Sequence, residues 1–365
     1  QLQCSSRWGT FVCERSEREH QKSKRIIQPK SNHRCIKKNK TRKARRTASE
    51  CIKTLIFIYV LLSFNHMELT ILGTSSMVPT KERNPLSVFL NYKGDGILFD
   101  CAEGTQRQMD IAGISRVKVK KILISHWHGD HVAGLVGLFQ TMGNQAENPK
   151  IELFGPKGTK KFISHLLNSC AFDVKIDLKV KELSPKKVDK FLETEDYELY
   201  CTKLEHSIPC IGFSFVEKNK RNIDVSFLRK NKIKEGPHLE KLKEGKDISY
   251  EGKKIKAKDC TYLVSGKKIS YVIDTIFTQN AIKLAKEADL LICEATYLHD
   301  LHEKAEKNKH MTAQEAGQIA SQADVKQLIL THFSQRYKQV NELVDEAKTI
   351  FPNTKAAFDL MKISL

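Results

Sequence analysis

Acidic residues are scarce at the start of this chain. Residues 1–66 hold 16 Lys/Arg against 4 Asp/Glu, so most of the net charge of +19 sits in the first sixth of 365 residues. Long apolar runs are missing as well. The run Thr54–Phe64 is too short to cross a membrane, since a spanning helix needs about 20 residues. It has the length of a signal-sequence core, but no clear small-residue cleavage site follows it. Paired cysteines are absent from the body of the chain. Cys101, Cys170, Cys201, Cys210, Cys260 and Cys293 form no CxxC. That excludes a dense disulfide framework and points to single buried thiols in a reducing, cytoplasmic setting. No repeat or low-complexity segment follows Met67.

Residues 1–50 are basic and polar without apolar periodicity, and the chain opens on Gln1. Residues 1–66 are therefore expected to be a basic extension, disordered or not native, with Met67 as the true start; a basic targeting arm is the alternative. Met67-Glu68-Leu69-Thr70-Ile71-Leu72-Gly73 reads as a first strand and turn. The body, 67–365, is only mildly basic, with 46 Lys/Arg and 39 Asp/Glu. This suits an anionic partner without proving one.

Within the body, short apolar runs end on residues with chemistry. Ile97–Phe99 leads to Asp100, Ile122–Ile124 to Ser125-His126, and the alternating Tyr200–Leu204 to His206. Ile269–Ile273 leads to Asp274, Leu290–Cys293 to Glu294, and Leu328–Leu330 to Thr331-His332. Buried strands interleaved with helices predict a layered α/β domain. Thr312 and Glu315 form a capping box ahead of Ala316, Ile319, Ala320 and Ala323, and Val340, Leu343, Val344 and Ala347 repeat the helical spacing. Residues 216–262 break the pattern. They are rich in Lys, carry Gly236-Pro237, and read as an excursion from the core.

The densest chemistry is His126-Trp127-His128-Gly129-Asp130-His131. His126 and His128, two apart on an extended segment, can point the same way. Asp130 and His131 are expected to follow in a tight turn that Gly129 permits. Imidazoles with a carboxylate suit zinc, which takes about four ligands. Four ligand-type side chains within six residues exceed what one metal takes from so short a loop, so two adjacent metals are the natural inference. His206, Asp274 and His332, each just past a strand, could be delivered by a sheet to the same rim.

An HxHxDH motif after a buried strand resembles the signature of the metallo-β-lactamase superfamily, which implies a four-layer αβ/βα sandwich. More closely, residues 67–365 resemble the ribonuclease Z family of tRNA 3′-processing endonucleases in its short form. The resemblance rests on Pro79-Thr80-Lys81-Glu82-Arg83-Asn84, Phe99-Asp100-Cys101-Ala102-Glu103-Gly104-Thr105-Gln106, His126–His131, Glu205-His206-Ser207-Ile208-Pro209, Asp274-Thr275, Glu294-Ala295-Thr296 and His310-Met311-Thr312. Met311 departs from a common serine, and Ile276-Phe277 from a common Arg-Pro; both bear on the substrate pocket.

The resemblance implies one zinc on His126, His128 and His206, a second on Asp130, His131 and His332, and Asp274 bridging them. It implies removal of the 3′ trailer from precursor tRNA, leaving a 3′-hydroxyl on the tRNA and a 5′-phosphate on the trailer. Asp130 would act as general base, His310 as general acid to the ribose 3′-oxygen, and Glu294 would orient His310. Asp100 would accept from a ligand histidine and fix its tautomer. Glu103 and Gln106 have no role that follows from sequence. The excursion would be a flexible, protruding basic exosite arm holding tRNA through Lys230, Lys232, Lys234, Gly236, Pro237, Lys241 and Lys243. Lys81, Arg83 and Asn84 would meet the 3′ end near the cut. The family's short forms act as homodimers, one subunit's arm holding the tRNA that the other cleaves. The rivals are a superfamily hydrolase of small substrates (arylsulfatase, lactonase or thioesterase) and a binding module that merely keeps the fold.

Overall fold

The computed structural model describes residues 67–145, 148–173 and 175–365. The basic extension 1–66 and its run Thr54–Phe64 lie outside the described residues. Two seven-stranded mixed sheets form the core. The first joins β1 (Met67–Gly73), β2 (Ser87–Tyr92), β3 (Asp95–Phe99), β4 (Val119–Leu123), β5 (Lys150–Pro156) and β6 (Asp177–Leu183), with β18 (Lys362–Ser364) beside β1. The second runs β7 (Asp189–Glu193), β8 (Tyr197–Leu204), β9 (Cys210–Glu217), β14 (Lys268–Val272), β15 (Leu290–Glu294), β16 (Leu328–Thr331) and β17 (Thr354–Ala356).

Both sheets follow one plan. From β18 to β3, and from β7 to β14, neighbours are antiparallel; beyond β3 and beyond β14 they are parallel. β3 and β14 are thus equivalent pivots. Parallel strands all present their carboxyl ends on one side, which is where open α/β sheets bind ligands.

Alternation along the strands explains the layers. Leu69, Ile71, Val88, Leu90, Ile97 and Phe99 of the first sheet pack against Leu199, Phe213, Phe215, Ile269, Tyr271 and Ile292 of the second. The opposite faces carry separate apolar clusters. Helices α1 (Thr105–Ile111), α3 (Leu135–Gln145) and α4 (Thr159–Leu167) cover the first sheet through Met109, Leu138, Phe139 and Ile163. Helices α8 (Gln279–Ala285), α9 (Ala313–Gln322) and α10 (Asn341–Lys348) cover the second through Leu284, Ile319, Ala320, Leu343 and Ala347. Strands buried on both faces read as continuous apolar runs, which is why they were legible. The four-layer sandwich is borne out. The capping box is present, with Thr312 and Glu315 bonded reciprocally.

Three expectations change in detail. Residues 129–132 are one turn of helix, α2 (Gly129–Val132), and a Cβ at Gly129 would meet nothing within 4 Å. The glycine needed for space is Gly134, whose Cβ would lie 2.0 Å from the Ala102 carbonyl oxygen. Met311 is fully buried among the helices outside the second sheet, and Phe277 packs on the same cluster, so both departures from the family pattern serve the core.

The third concerns the excursion, which is a small folded unit. β10 (Lys220–Ile223) pairs with β13 (Thr261–Val264) as a stalk. Between them lie α5 (Val225–Lys230), α6 (His238–Lys243), a hairpin of β11 (Ile248–Tyr250) and β12 (Lys253–Ile255), and α7 (Ala257–Cys260). Leu242, Ile248, Ala257 and Cys260 form its own buried cluster. It leaves the second sheet between the end of β9 and the start of β14, whereas Asp274 follows the other end of β14. A strand of that length separates the two by roughly 20 Å.

Leu242 is fully buried in a cluster of four. Leu242→Ala removes about 2–5 kcal/mol, more than so small a core holds in reserve. Amide exchange should rise across 220–264 and stay unchanged in β3, β4 and β14; protection unchanged throughout would contradict an autonomous core.

Candidate metal centre

The carboxyl ends of the strands bring together every histidine and aspartate that sequence placed after them. His126 and His128 follow β4, His206 follows β8, Asp274 follows β14 and His332 follows β16. Asp130 and His131 sit on α2. Three groups result, His126–His128–His206–Asp274, Asp130–His131–His332 and Asp274–Glu294–His310–His332, each with its donor atoms within 4.8 Å of one another.

In the first group His128 Nδ1 is 3.0 Å from His126 Nε2 and 3.2 Å from His206 Nε2. Asp274 Oδ2 is 3.3 Å from His126 Nε2 and 3.8 Å from His206 Nε2. In the second, Asp130 Oδ2 is 3.4 Å from His131 Nε2 and 4.0 Å from His332 Nε2. Asp274 reaches this group too, with Oδ1 3.2 Å from His332 Nε2 and Oδ2 3.5 Å from His131 Nε2. Donors around a tetrahedral ion at about 2.1 Å lie about 3.4 Å apart. The first two groups have that spacing, and Asp274 lies within 3.8 Å of imidazole nitrogens of both.

Four of the five imidazoles are held by the nitrogen turned away from the cluster. His131 Nδ1 bonds Asp100 Oδ2 at 2.9 Å, His206 Nδ1 the Lys309 carbonyl at 2.9 Å, His332 Nδ1 the Thr296 hydroxyl at 3.0 Å, and His126 Nδ1 the Ser125 hydroxyl at 3.0 Å. A proton kept on Nδ1 leaves the Nε2 lone pair for a metal. His131 Nε2, His332 Nε2 and Asp274 Oδ1 are buried without a hydrogen-bond partner. Such atoms are costly unless a ligand or cation satisfies them, so the residues present fit a metal pair.

The charges agree. Burial lowers the His126 and His332 imidazoles, and neighbouring histidines lower them further. Burial pulls His131 down too, but Asp274 and Asp100 outweigh it and hold it well above the usual histidine range. Burial alone would raise Asp274; His332, His131 and His126 instead hold it well below the carboxylate range. An ionised buried aspartate beside His126 and His332, which burial keeps from taking a proton, draws positive charge to the site.

Asp100 is the fixed point behind the motif. Its buried carboxylate accepts from the Ser125 amide (2.7 Å), the Ser125 hydroxyl (2.8 Å), His131 Nδ1 (2.9 Å) and the Tyr271 hydroxyl (2.8 Å). Tyr271 lies on β14, so this bond joins the two sheets directly under the site. Asp100, Asp274, His332 and Lys309 all have left-handed backbones, with φ of 54°, 52°, 59° and 59°. Non-glycine residues rarely adopt it, and its clustering marks a site where surrounding structure holds strain.

His310 and Glu294 pair with each other and meet Asp274 and His332 in the third group. Glu294 Oε2 accepts from His310 Nδ1 at 3.1 Å and from Thr296 Oγ1 at 2.6 Å, and Oε1 accepts from the Thr275 amide at 2.7 Å. With its oxygens so engaged, Glu294 orients His310. Burial opposes charge on His310, but Glu294 and Asp274 outweigh it and raise the imidazole to about 9. His310, Asp130, His128, His206, Asp274 and His332 share a cavity of about 520 Å³, with Glu103 and Met77 at its margin.

The Pro79–Asn84 loop divides its three candidate contacts. Lys81 is exposed. Arg83 turns inward, giving its guanidinium to the Ser334 and Tyr337 carbonyls at 3.3 and 2.7 Å. Asn84 bonds the Glu103 carbonyl at 2.8 Å through its side chain and Asp359 at 2.7 Å through its amide. Arg83 and Asn84 therefore shape the loop. Gln106 is likewise internal, accepting from Thr141 at 2.8 Å. In the excursion Lys230, Lys232, Lys234 and Lys241 are exposed and in no ion pair among the described residues, Lys243 pairs with Glu240 at 3.5 Å, and Gly236-Pro237 opens α6.

Sequence reasoning missed Ser125, Tyr271, Thr296 and Asp359. Tyr271 carried the one available signal, since a tyrosine inside a buried strand must find its hydroxyl a partner.

The chain matches the family model described as anti-Pycsar protein Apyc1 over residues 67–354. It is 38% identical over 304 residues to ribonuclease Z of Methanothermobacter thermautotrophicus, covering 82% of this chain and 97% of that protein. It is 37% identical over 270 residues to ribonuclease Z of Nanoarchaeum equitans, covering 73% and 84%. Among solved structures it resembles the short form of human tRNase Z, at a TM-score of 0.61 and 28% identity over 81% of this chain and 98% of that one. A metallo-β-lactamase fold protein of Bacillus subtilis shares the fold, at a TM-score of 0.59 and 18% identity over 82% of this chain and 100% of that one.

Asp100→Asn offers one carbonyl oxygen where the carboxylate now satisfies four donors. Loss of such a support typically weakens metal binding 10–100-fold, which competition with a chromophoric chelator should read; unchanged affinity would remove Asp100 from the support of His131.

Proposed function

The chain belongs to the ribonuclease Z family, and to the family that the Apyc1 model describes; it is a tRNA 3′-processing endoribonuclease, and we propose that it works with two zinc ions. His126, His128 and His206 would hold one, Asp130, His131 and His332 the other, with Asp274 shared. The observation that carries this reading is that Asp274 lies within 3.2–3.8 Å of His126 and His206 on one hand and of His131 and His332 on the other, with buried, unpartnered atoms beside it. When bound, the metals supply Lewis acidity that activates water and offsets charge on the phosphoryl oxygens.

The chain's own residues do the rest. Asp130, on the cavity wall beside both groups, takes the proton of the attacking water. Attack on phosphorus releases the ribose 3′-oxygen of the tRNA, a poor leaving group that needs a proton. His310 supplies it from Nε2, because Nδ1 is engaged by Glu294. The tRNA then ends in a 3′-hydroxyl and the trailer begins with a 5′-phosphate. The Glu294 carboxylate keeps the imidazole oriented and favours its charged form.

The folded basic excursion is the proposed tRNA exosite, with exposed lysines that meet phosphates and read no bases. It leaves the sheet about 20 Å from the site of cut, which suits grip on a distant part of the same tRNA. A homodimer is part of this reading. The stalk strand β13 exposes Tyr262, Leu263 and Val264 in succession, an apolar strip that a second copy would cover. Among the described residues no helix is long and apolar enough to cross a membrane. Five of the six described cysteines are buried and all are free, which supports a cytoplasmic setting. Small-substrate hydrolysis is the weaker reading, since the relatives at 37–38% identity are ribonucleases Z.

Purified protein should release an intact trailer from precursor tRNA and stop when metal is chelated; turnover of small esters alone would overturn the tRNA reading. His310→Ala should retain its metals by elemental analysis and lose about 10²–10⁴-fold in kcat; loss of metal would make His310 structural. Replacing 220–260 by a short turn should preserve turnover of a small phosphodiester and abolish tRNA binding at moderate salt, and unchanged affinity would reject the exosite.

A further inference from the structure

Phe162 on α4 is 44% exposed, and its ring stacks on Trp127 at 5.6 Å and 26°. Trp127 lies between His126 and His128, so the stack is rooted in the metal-binding segment itself. The indole N–H donates to Thr159 Oγ1 at 2.8 Å, and that hydroxyl donates to the Pro156 carbonyl at 2.7 Å. Gly158 has a φ of 101°, and a Cβ there would stand 3.1 Å from the Phe162 ring. The end of β5 and the start of α4 are thus shaped to seat this ring against Trp127 with one face outward.

A groove of about 220 Å³ opens beside it, between Pro156-Lys157 on one side and Lys203, Pro209 and Ile211 on the other. The segment forming its far wall also carries His206 and Ser207 into the metal cavity. Ile211 donates its amide to the Ser125 carbonyl at 3.0 Å, directly before His126. One loop therefore separates the groove from the reacting centre. Lys157, Lys160, Lys161 and Lys203 are exposed here, and none is in an ion pair among the described residues.

An outward aromatic face beside an apolar groove with unpaired lysines at its edges is the chemistry of single-stranded nucleic acid binding: bases stack on the ring and phosphates meet the ammonium groups. We propose that this rim is a subsite for the single-stranded 3′ trailer, one trailer base stacking on Phe162 while the adjoining phosphates meet Lys157 and Lys203. The proposal rests on the tRNA-processing reading of the neighbouring cavity. Stacking accepts every base, which matches a trailer of arbitrary sequence. Its contacts leave no covalent tie, so the trailer departs after the cut.

The test compares two precursor tRNAs, one with an intact trailer and one whose first trailer nucleotides lack their bases. In the unaltered protein kcat/KM should be about tenfold higher for the intact trailer, carried by KM. Phe162→Ala should bring the ratio near one, and Phe162→Trp should restore it. Because each variant is compared with itself, a general loss of folding leaves the ratio readable. A ratio near one in the unaltered protein, or one that Phe162→Ala leaves at its original value, overturns the subsite while the endonuclease stands. Failure to cut either precursor overturns both.

Discussion

The Asp274 carboxylate, 2% exposed, stands between two groups of imidazoles, and much of the site depends on keeping its charge there. Its backbone takes a left-handed φ of 52° at the end of β14. Its two oxygens face His126, His131 and His206 on one side and His332 on the other. A lone ionised carboxylate in such a place is prohibitively unfavourable unless cations answer it. The histidines must therefore stay fixed at ligand spacing: His126, His206 and His332 are anchored through Nδ1 to groups that bear no charge, and His131 to Asp100. Folding and metal binding are coupled through that requirement.

The duplicated sheet plan shows how the requirement is met. β3 and β14 are the two pivots between antiparallel and parallel pairing, and each ends in an aspartate with a left-handed backbone, Asp100 and Asp274. Asp100 accepts the amide of Ser125 after the next strand, and Glu294 at the end of β15 accepts the amide of Thr275 after the pivot. The Tyr271 hydroxyl then joins Asp100 to the second sheet. The two halves are stitched together at the rim where the chemistry sits. Strain at four left-handed residues is carried by the sheets, which over-determine those positions.

Division of labour follows from distance. The cavity contains donors, a protonated imidazole at His310 and little else that could recognise a large substrate. The excursion sits at the other end of β14 with a core of its own, so its lysines can vary without disturbing Asp274. Of the Pro79–Asn84 loop, Arg83 and Asn84 are spent on shaping the loop through Ser334, Tyr337, Glu103 and Asp359. Only Lys81 of that trio is free to face a phosphate. The Phe162–Trp127 stack adds a contact on the trailer side that neither the loop nor the excursion reaches.

The strands were readable because burial on both faces leaves unbroken apolar runs, and each run ended on the residue that proved to sit on the rim. The clustering of histidines and aspartates was readable for the same reason: strand ends are local, and His126–His131 is one local segment. The capping box at Thr312 is likewise local. Hydrogen bonds between distant segments were not readable, because sequence spacing carries no information about which strand lies opposite which. Tyr271 looked like core, Arg83 and Asn84 looked like free polar residues, and Met311 looked like part of a pocket, until the second sheet and its helices supplied their neighbours. The Lys-rich excursion looked like a flexible arm because its core is only four buried residues, too few to show as periodicity. Sequence by itself determined the strands, the layer type and the donor residues. Tertiary structure alone decided which side chains lie around Asp274, which groups support them, and which basic residues are left outside ion pairs, since those outcomes depend on contacts made across the chain.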